Sequence, residues 1–331
     1  MNAIVVRING KAIKARVGDT LVEAGIGGGI VLPHDCLTGQ CDTCRVCVVS
    51  GEIDAQGTQD RDTVLGCKAK ALSDVDITYE EIPGVGKWTG EVVSLTPMAG
   101  DIYEVIIGLK QRIPYLAGQY VYAAFAALPE RAYSPTIGLD AYADELRIVF
   151  HIRVYPGGEV SPHLGGRIAL GTQVAIRGPF GHAYLRRGDN RIVFVCGGAG
   201  FAPIWSMALA SRLSQPGREV VVVTGASTIK RLYMTLALQW LLKNGAEKIV
   251  VTASDGDGGE VKKGWPSDHL PELRASDTVH VAGSPALVRA VVEKARAAGA
   301  NYYTDPFTPA VSKVPGFGAR VAGFFGRGKA A

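Results

Sequence analysis

Cys36, Cys41 and Cys44 fall within nine residues, "CLTGQCDTC", and Cys67 follows after 22 more. Clustered thiolates suit a zinc site or an iron–sulfur centre. Structural zinc sites usually join two short Cys-x2-4-Cys or His elements. Here three ligands share one loop and the fourth stands alone. That is the plant-type spacing for a [2Fe–2S] cluster, in which a loop wraps the cluster and aims backbone N–H groups at its sulfurs. A Rieske centre needs two His ligands, and only His34 is near, so that type is excluded. Zinc and unliganded cysteines are the competing readings. Cys47 and Cys196 sit on apolar strands and read as small buried hydrophobes rather than ligands.

Two later stretches suit a flat, phosphate-bearing ligand. In "RAYS", the Arg131 fork matches phosphate, the Tyr133 face can stack on a ring, and the Ser134 hydroxyl can bond a ring nitrogen. In "HIRVYPGGEVS" (151–161), Gly157 and Gly158 let backbone N–H groups approach a pyrophosphate. Alone, the first could be a barrel edge and the second an ordinary turn; together, behind a cysteine cluster, they favour a cofactor. A third stretch, "VFVCGGAGFAP" (193–203), runs from a buried strand through Gly197, Gly198, Ala199 and Gly200 into a helix starting near Pro203. A strand, a glycine turn and a helix N-terminus in that order make a dinucleotide site.

These residues need elements to hold them. "IVVRI", Asn9-Gly10 and "KAIKARV" read as a hairpin, since both turn residues tolerate positive φ. A short helix follows, capped by Asp19 or Thr20 and ended by Gly25. With the cysteine loop and strand "RVCVVSG" this makes an α+β unit over residues 1–80. "EIPGVGK" (81–87) has linker composition. Residues 88–187 hold short strands separated by turn residues, the pattern of a small antiparallel barrel. Residues 188–307 alternate buried strands ("RIVFVC", "EVVVVTG", "KIVVTAS", "TVHVAG") with helices, the pattern of a parallel α/β sheet. Residues 308–331 read as a disordered basic tail.

The totals agree. The 331 residues are 47% apolar, enough for two or three cored domains, and no apolar run reaches the ~20 residues of a membrane span. The start has no secretory-signal layout, so the expected location is cytoplasmic, where thiols stay reduced. The net charge of +4 is spread as −3 over 1–80, +3 over 81–307 and +4 over the tail. That gives an acidic head on a weakly basic body, and no face for nucleic acid.

Over residues 1–307, the four cysteines, "RAYS", "HIRVYPGG", "GGAGFAP" and "AGSPALV" (282–288) together resemble the reductase components of bacterial multicomponent oxygenases. In these an N-terminal plant-type ferredoxin is fused to a ferredoxin–NADP reductase-like module. The resemblance implies a β-grasp ferredoxin domain, an antiparallel β-barrel FAD domain and a Rossmann-like NAD domain. It assigns Cys36, Cys41, Cys44 and Cys67 to the cluster. It places Ser134 near the reactive flavin nitrogen and Tyr133 against the ring, with Arg131 also on FAD. Arg153, Gly158 and Ser161 would meet the diphosphate. Gly283 would lie by the nicotinamide, and Phe307 would shield the flavin or simply pack in the core. His151 is either a cofactor contact or part of a solvated strand face.

Three positions depart from the family pattern: Asp42 in the cysteine loop, Ala199 in place of a Thr, and Ala282 in place of a Cys. Asp255 in "TASD" would accept from the ribose hydroxyls and favour NADH, while Lys230 and Arg231 would favour NADPH; NADH is the reading chosen. The activity implied is hydride transfer from NADH to FAD, then single-electron release through the cluster to a terminal oxygenase, directly or through a separate ferredoxin. A Rieske ring-hydroxylating dioxygenase comes first among clients. A di-iron monooxygenase, a cytochrome P450 and a deoxysugar-pathway enzyme are the others, and a redox sensor is the non-enzymatic alternative.

Overall fold

The computed structural model describes residues 3–39 and 43–308. Strands β1 (Ala3–Ile8) and β2 (Lys11–Arg16) form the expected hairpin. Asn9 and Gly10 take φ of 47° and 81°. Helix α1 (Leu21–Gly27) is capped by Thr20, whose hydroxyl accepts from Glu23 N while the Glu23 carboxylate accepts from Thr20 N. It continues past Gly25, which the sequence reading took as its end. Gly25 instead lets the helix pack closely, since a Cβ there would lie 2.6 Å from the Ile30 carbonyl. Strands β3 (Arg45–Ser50), β4 (Ile53–Asp54), β5 (Thr63–Leu65), β6 (Lys70–Ala71) and β7 (Val75–Thr78) complete this unit. Its five-stranded sheet runs β2-β1-β7-β3-β5, with β1 and β7 parallel, and packs one face on α1 around Val6, Leu21, Val46 and Ile77.

The second unit begins at Gly86, inside the stretch assigned as linker. Strands β8 (Gly86–Pro97), β9 (Ile102–Leu109), β10 (Tyr120–Phe125), β11 (Arg131–Tyr133), β12 (Arg147–Arg153) and β13 (Gln173–Phe180) form an antiparallel sheet ordered β11-β10-β13-β8-β9-β12. Register shifts in β8 and β10 bend it. The sheet curls until Thr136, just past β11, bridges Val149 of β12. Inward residues such as Val121, Phe125 and Phe150 fill the interior.

The third unit is a parallel sheet of β14 (Ile192–Gly197), β15 (Val220–Ala226), β16 (Lys248–Ala253), β17 (Val261–Lys263), β18 (Thr278–Gly283) and β19 (Asn301–Pro306). The order is β17-β16-β15-β14-β18-β19, so the chain winds outward from β14 in both directions. The gap between the ends of β14 and β18 is therefore a topological switch point, where open α/β sheets bind ligands. Helices α2 (Phe201–Ser214), α3 (Thr235–Lys243) and α4 (Pro285–Ala297) cover the sheet.

Helix α2 is apolar nearly all round because it is covered on both sides. One side meets the sheet at Phe194 and Val222; the other meets the barrel. Trp205 Nε1 donates to the Ile137 and Gly138 carbonyls at 3.1 Å, and Thr136 Oγ1 donates to the Ala202 carbonyl at 2.8 Å. Burying a side chain such as Trp205 or Phe201 contributes ~1.5–3 kcal/mol, so this wedge fixes the barrel and parallel sheet against each other.

Candidate active site

Where the barrel meets the C-terminal ends of β14, β15 and β18 lies a cleft of about 880 Å³. The barrel side presents Arg131, Tyr133, Ser134, His151, Arg153, Gly157, Gly158 and Ser161. The sheet side presents Gly197, Gly198, Gly200, Gly283 and Phe307. Thirteen of the fifteen residues that the sequence reading gave to FAD and the nucleotide, drawn from motifs far apart in the chain, line this one cleft. Of these fifteen, Pro203 and Asp255 are absent from the lining.

The sheet side is shaped by backbone. Gly198 has φ +55° and open space where a Cβ would point. A Cβ on Gly200 would lie 2.4 Å from the Ala282 carbonyl, so only glycine lets α2 start this close to β18. Helix α2 has no side-chain N-cap and no acid in its first turn. The residues around its start, Gly198, Ala199, Gly200 and Ala202, line the cleft, so the positive end of its dipole lies at the cleft wall, an arrangement that suits a phosphate. Pro203 is the third residue of α2 and is buried behind this turn.

The barrel side is shaped by side chains. Tyr133 tilts against Phe150 at 5.4 Å and meets Phe125 edge-on at 6.1 Å, and burial pushes its phenol well above the usual range. Ser134 is 7% exposed and donates to Asp305 Oδ2 at 2.9 Å. Burial raises the Asp305 carboxyl to about 6, against a smaller lowering by the Ser134 bond. Arg131 pairs with Glu159, while Arg153 Nε lies 2.9 Å from Asp101 and over the Tyr155 ring. An incoming anion would have to share these guanidinium groups with their acids. Ser161 Oγ accepts from Tyr155 N at 2.9 Å, which folds the loop carrying Gly157 and Gly158.

The solvated-face reading of His151 is overturned. Its side chain is fully buried, Tyr233 Oη stands 3.3 Å from Nδ1, and Nε2 lies 3.7 Å from Glu104. Burial lowers its pKa, against the raising effect of Glu104. Asp255 is exposed outside the lining, and its Oδ1 accepts from Ile229 N at 2.7 Å, tying down the turn 229–231. That turn sets Arg231 in the cleft wall, 3.6 Å from Asp101. Phe307 N donates to the Gly283 carbonyl at 2.7 Å, and its ring packs on the core around α2 while still facing the cleft.

Sequence reasoning missed Asp305, His182 and Gly225, which all line the cleft. Gly225 had a signal, since "VVVVTGA" ends a buried strand at the same sheet edge. Asp305 and His182 carried none. Burial, then the Arg186 charge, lowers His182 to about 3.

In the cysteine loop, Cys44 and Cys67 are buried and Cys36 is half-buried. Gly66 N donates to the Cys44 carbonyl at 2.8 Å, which joins the two buried cysteines' segments. Thr38 N points at Cys36 Sγ from 3.4 Å, and Leu37 and Gly39 both take positive φ. A loop that turns N–H groups toward sulfur fits a cluster of anionic sulfurs. Cys41 and Asp42 lie outside the described residues, as does the tail beyond Thr308. Among the described residues no three Cys, His, Asp or Glu side chains converge as a metal site. Cys47 is half-buried rather than buried, donating to Asp62 at 3.1 Å, with its thiol pushed up chiefly by burial. Cys196 is fully buried as expected, donates to Thr224 at 3.2 Å and is pushed up to about 12.

Residues 6–72 match the 2Fe-2S iron-sulfur cluster binding domain family, 92–184 the oxidoreductase FAD-binding domain family and 194–293 the oxidoreductase NAD-binding domain family. The reductase subunit of an aromatic O-demethylase from Amycolatopsis sp. is 28% identical, across 92% of this chain and 98% of that protein. The ferredoxin–NAD(P)(+) reductase component of a naphthalene 1,2-dioxygenase system from Pseudomonas putida is 25% identical over the same shares. The crystal structure of the Amycolatopsis cytochrome P450 reductase GcoB superposes with a TM-score of 0.68 at 26% identity, covering 92% of this chain and 99% of that one.

Proposed function

We propose that this chain, which carries a 2Fe-2S domain with FAD- and NAD-binding oxidoreductase domains and is similar to reductase components of oxygenase systems, takes electrons from NADH and passes them through its iron–sulfur domain to the oxygenase component of an aromatic-compound system. The observation that carries this reading is the shared cleft. One wall holds "RAYS" and the other holds the glycine turn of β14, so a flavin and a nicotinamide nucleotide would meet across it. When bound, FAD supplies acceptance of two electrons and their release one at a time.

In this reading Tyr133 and Ser134 hold the flavin ring, and Arg131 and Arg153 hold its phosphates. Gly198, Gly200 and the N-terminus of α2 receive the diphosphate of NADH. Gly283 keeps the nicotinamide end of the cleft free of side chain. Phe307 closes that end against solvent. NADH is favoured over NADPH because Arg231 is already met by Asp101, which leaves it less able to bind a ribose phosphate.

Two clients are supported. An aromatic-ring dioxygenase is favoured by the naphthalene 1,2-dioxygenase relative, and a cytochrome P450 by the likeness to GcoB. The deciding experiment is an anaerobic NADH titration of the purified protein, repeated with NADPH on a fresh sample, then reconstitution with each oxygenase class. Flavin and iron–sulfur bands that both bleach with NADH are the expected result. A flavin that bleaches with no iron–sulfur band present would falsify the route. Turnover with only one oxygenase class names the client.

A further inference from the structure

The cysteine loop is fastened to the barrel on both of its flanks. Asp35 immediately precedes Cys36, and its side chain is only 9% exposed. Asp35 Oδ2 accepts from the hydroxyls of Tyr120 and Tyr122, each at 3.1 Å, and Oδ1 stands 3.6 Å from Arg177 Nη1. These partners lie on the adjacent strands β10 and β13. Arg177 is itself fixed, since Nη2 donates to Glu130 Oε1 at 2.9 Å. Its guanidinium also lies over the rings of Tyr122 and Phe180, at 4.5 and 4.9 Å.

On the other flank Thr43, immediately before Cys44, accepts through Oγ1 from Gly181 N at 3.2 Å. Gly181 has φ +95°, and a Cβ there would lie 3.0 Å from the Tyr120 ring. Tyr120, Tyr122 and Gly181 all line the cleft. The wall that holds the cysteine loop is thus also the wall of the proposed flavin site. Burial and the Asp35 charge raise Tyr122 to about 12, so its phenol keeps the proton it donates.

We propose that Asp35 and Arg177 are positioning residues for electron transfer inside the chain: their contact locks the cluster loop onto the cleft wall. This rests on the function proposed above. In the docked state one electron leaves the FAD domain and one enters the iron–sulfur domain, and no bond forms or breaks. Removing Arg177 takes the counter-charge from the buried Asp35 carboxylate, and neutralising Asp35 takes one of two acidic partners from Arg177; either change weakens the docked state by more than the contact itself contributed. Transfer then falls with the fraction of molecules docked.

The test uses the full-length holoprotein with Arg177→Gln, Arg177→Lys and Asp35→Asn. Arg177 is outside the cleft lining and is neither a cysteine nor a proposed cofactor contact, so FAD and iron content measured on each variant separate lost cofactor from lost docking. NADH-driven ferricyanide reduction reports the FAD side alone; stopped-flow bleaching of the iron–sulfur band and cytochrome c reduction report passage into the cluster. Arg177→Gln is expected to keep ferricyanide reduction at the wild-type rate and iron content at the wild-type level. It should slow cluster bleaching about tenfold, the factor that matches ~1.4 kcal/mol of docking free energy. Arg177→Lys should recover part of that loss, and Asp35→Asn should shift in the same direction. Bleaching at the wild-type rate in Arg177→Gln overturns the proposal. Absence of NADH-driven ferricyanide reduction in the wild type overturns the function it rests on, and this proposal with it.

Discussion

The nucleotide wall of the cleft and the seam under the cysteine loop do comparable jobs with opposite means. The wall is made of backbone: Gly198, Gly200 and Gly283 lie at the ends of two neighbouring strands, and what matters is the side chain each lacks. The seam is made of side chains, Asp35 with Tyr120, Tyr122 and Arg177, drawn from strands 85 or more residues away. A backbone site fails when a side chain clashes, as at Gly200, or strains a positive φ, as at Gly198 and Gly283, but asks little of its neighbours' chemistry. A side-chain seam tolerates small changes of shape and fails when one charge is removed. The two regions should therefore answer mutation differently.

The sharpest break is Gly200→Val. Its side chain would meet the Ala282 carbonyl and push α2 away from β18. NADH oxidation should fall by roughly 100-fold, the scale of a ~1 Å misplacement of reacting groups. Iron content should remain, because the cysteine unit has its own core. Steady-state kinetics with iron analysis checks both halves, and full activity would remove the backbone side of the comparison.

Ser134→Ala tests the barrel wall, where a side chain does the work. Losing the hydroxyl removes the proposed flavin contact and leaves Asp305 without its donor. Hydride transfer in stopped flow should slow by roughly 10- to 100-fold. An unchanged rate with unchanged FAD content would misplace the flavin site.

Asp305→Asn has a smaller effect, read as stability against pH. The folded-state pKa of about 6 lies above the ordinary 3.8, so the folded protein binds more protons between those values. Stability therefore falls as pH rises from about 4 to 6, and the cost is fully present above 6. The amide removes that cost, by an amount on the order of 1–2 kcal/mol for a part-exposed group. Thermal melts should show the variant more stable than wild type at pH 7, with the difference closing by pH 4. A gap that stays constant with pH would assign the effect to packing instead.

The smallest effect belongs to Arg61→Ala. Arg61 reaches Asn301 and the Ala300 carbonyl across a second part of the seam, from an exposed position. Its loss should change stability by no more than ~0.5 kcal/mol and leave cluster bleaching unchanged. A loss equal to that of Arg177→Gln would spread the docking over the whole seam rather than the cluster flank.

The same contrast explains what the sequence could tell. Asn9-Gly10, "GGAGFAP" and the cysteine spacing are local signals, because a turn or a close backbone approach needs particular residues within a few positions. Hence the three units, their strands and most of the cleft were legible. Gly25 was misread as a helix end because a packing glycine and a capping glycine look alike in one dimension. The Asp255 bond to Ile229 N was not legible, because an acid after a strand can serve a ribose or a backbone N–H and the sequence alone does not show which lies near. The polar side chains of the seam and the Ser134–Asp305 pair left no trace, since each joins residues that only the tertiary fold brings together.

Glu80 carries a mechanical consequence. Its carboxylate is gripped by Tyr184 Oη and by Arg186 Nε, the latter at 3.0 Å, and β8 starts at Gly86. Five residues, 81–85, thus form the whole leash between two points fixed on the reductase body. Fully stretched, that leash spans about 20 Å. While Glu80 is gripped, the iron–sulfur domain can tilt about its tether but cannot travel like a shuttle. In the proposed function the oxygenase must come to this protein to collect each electron, and the encounter frequency is set by the diffusion of two whole molecules.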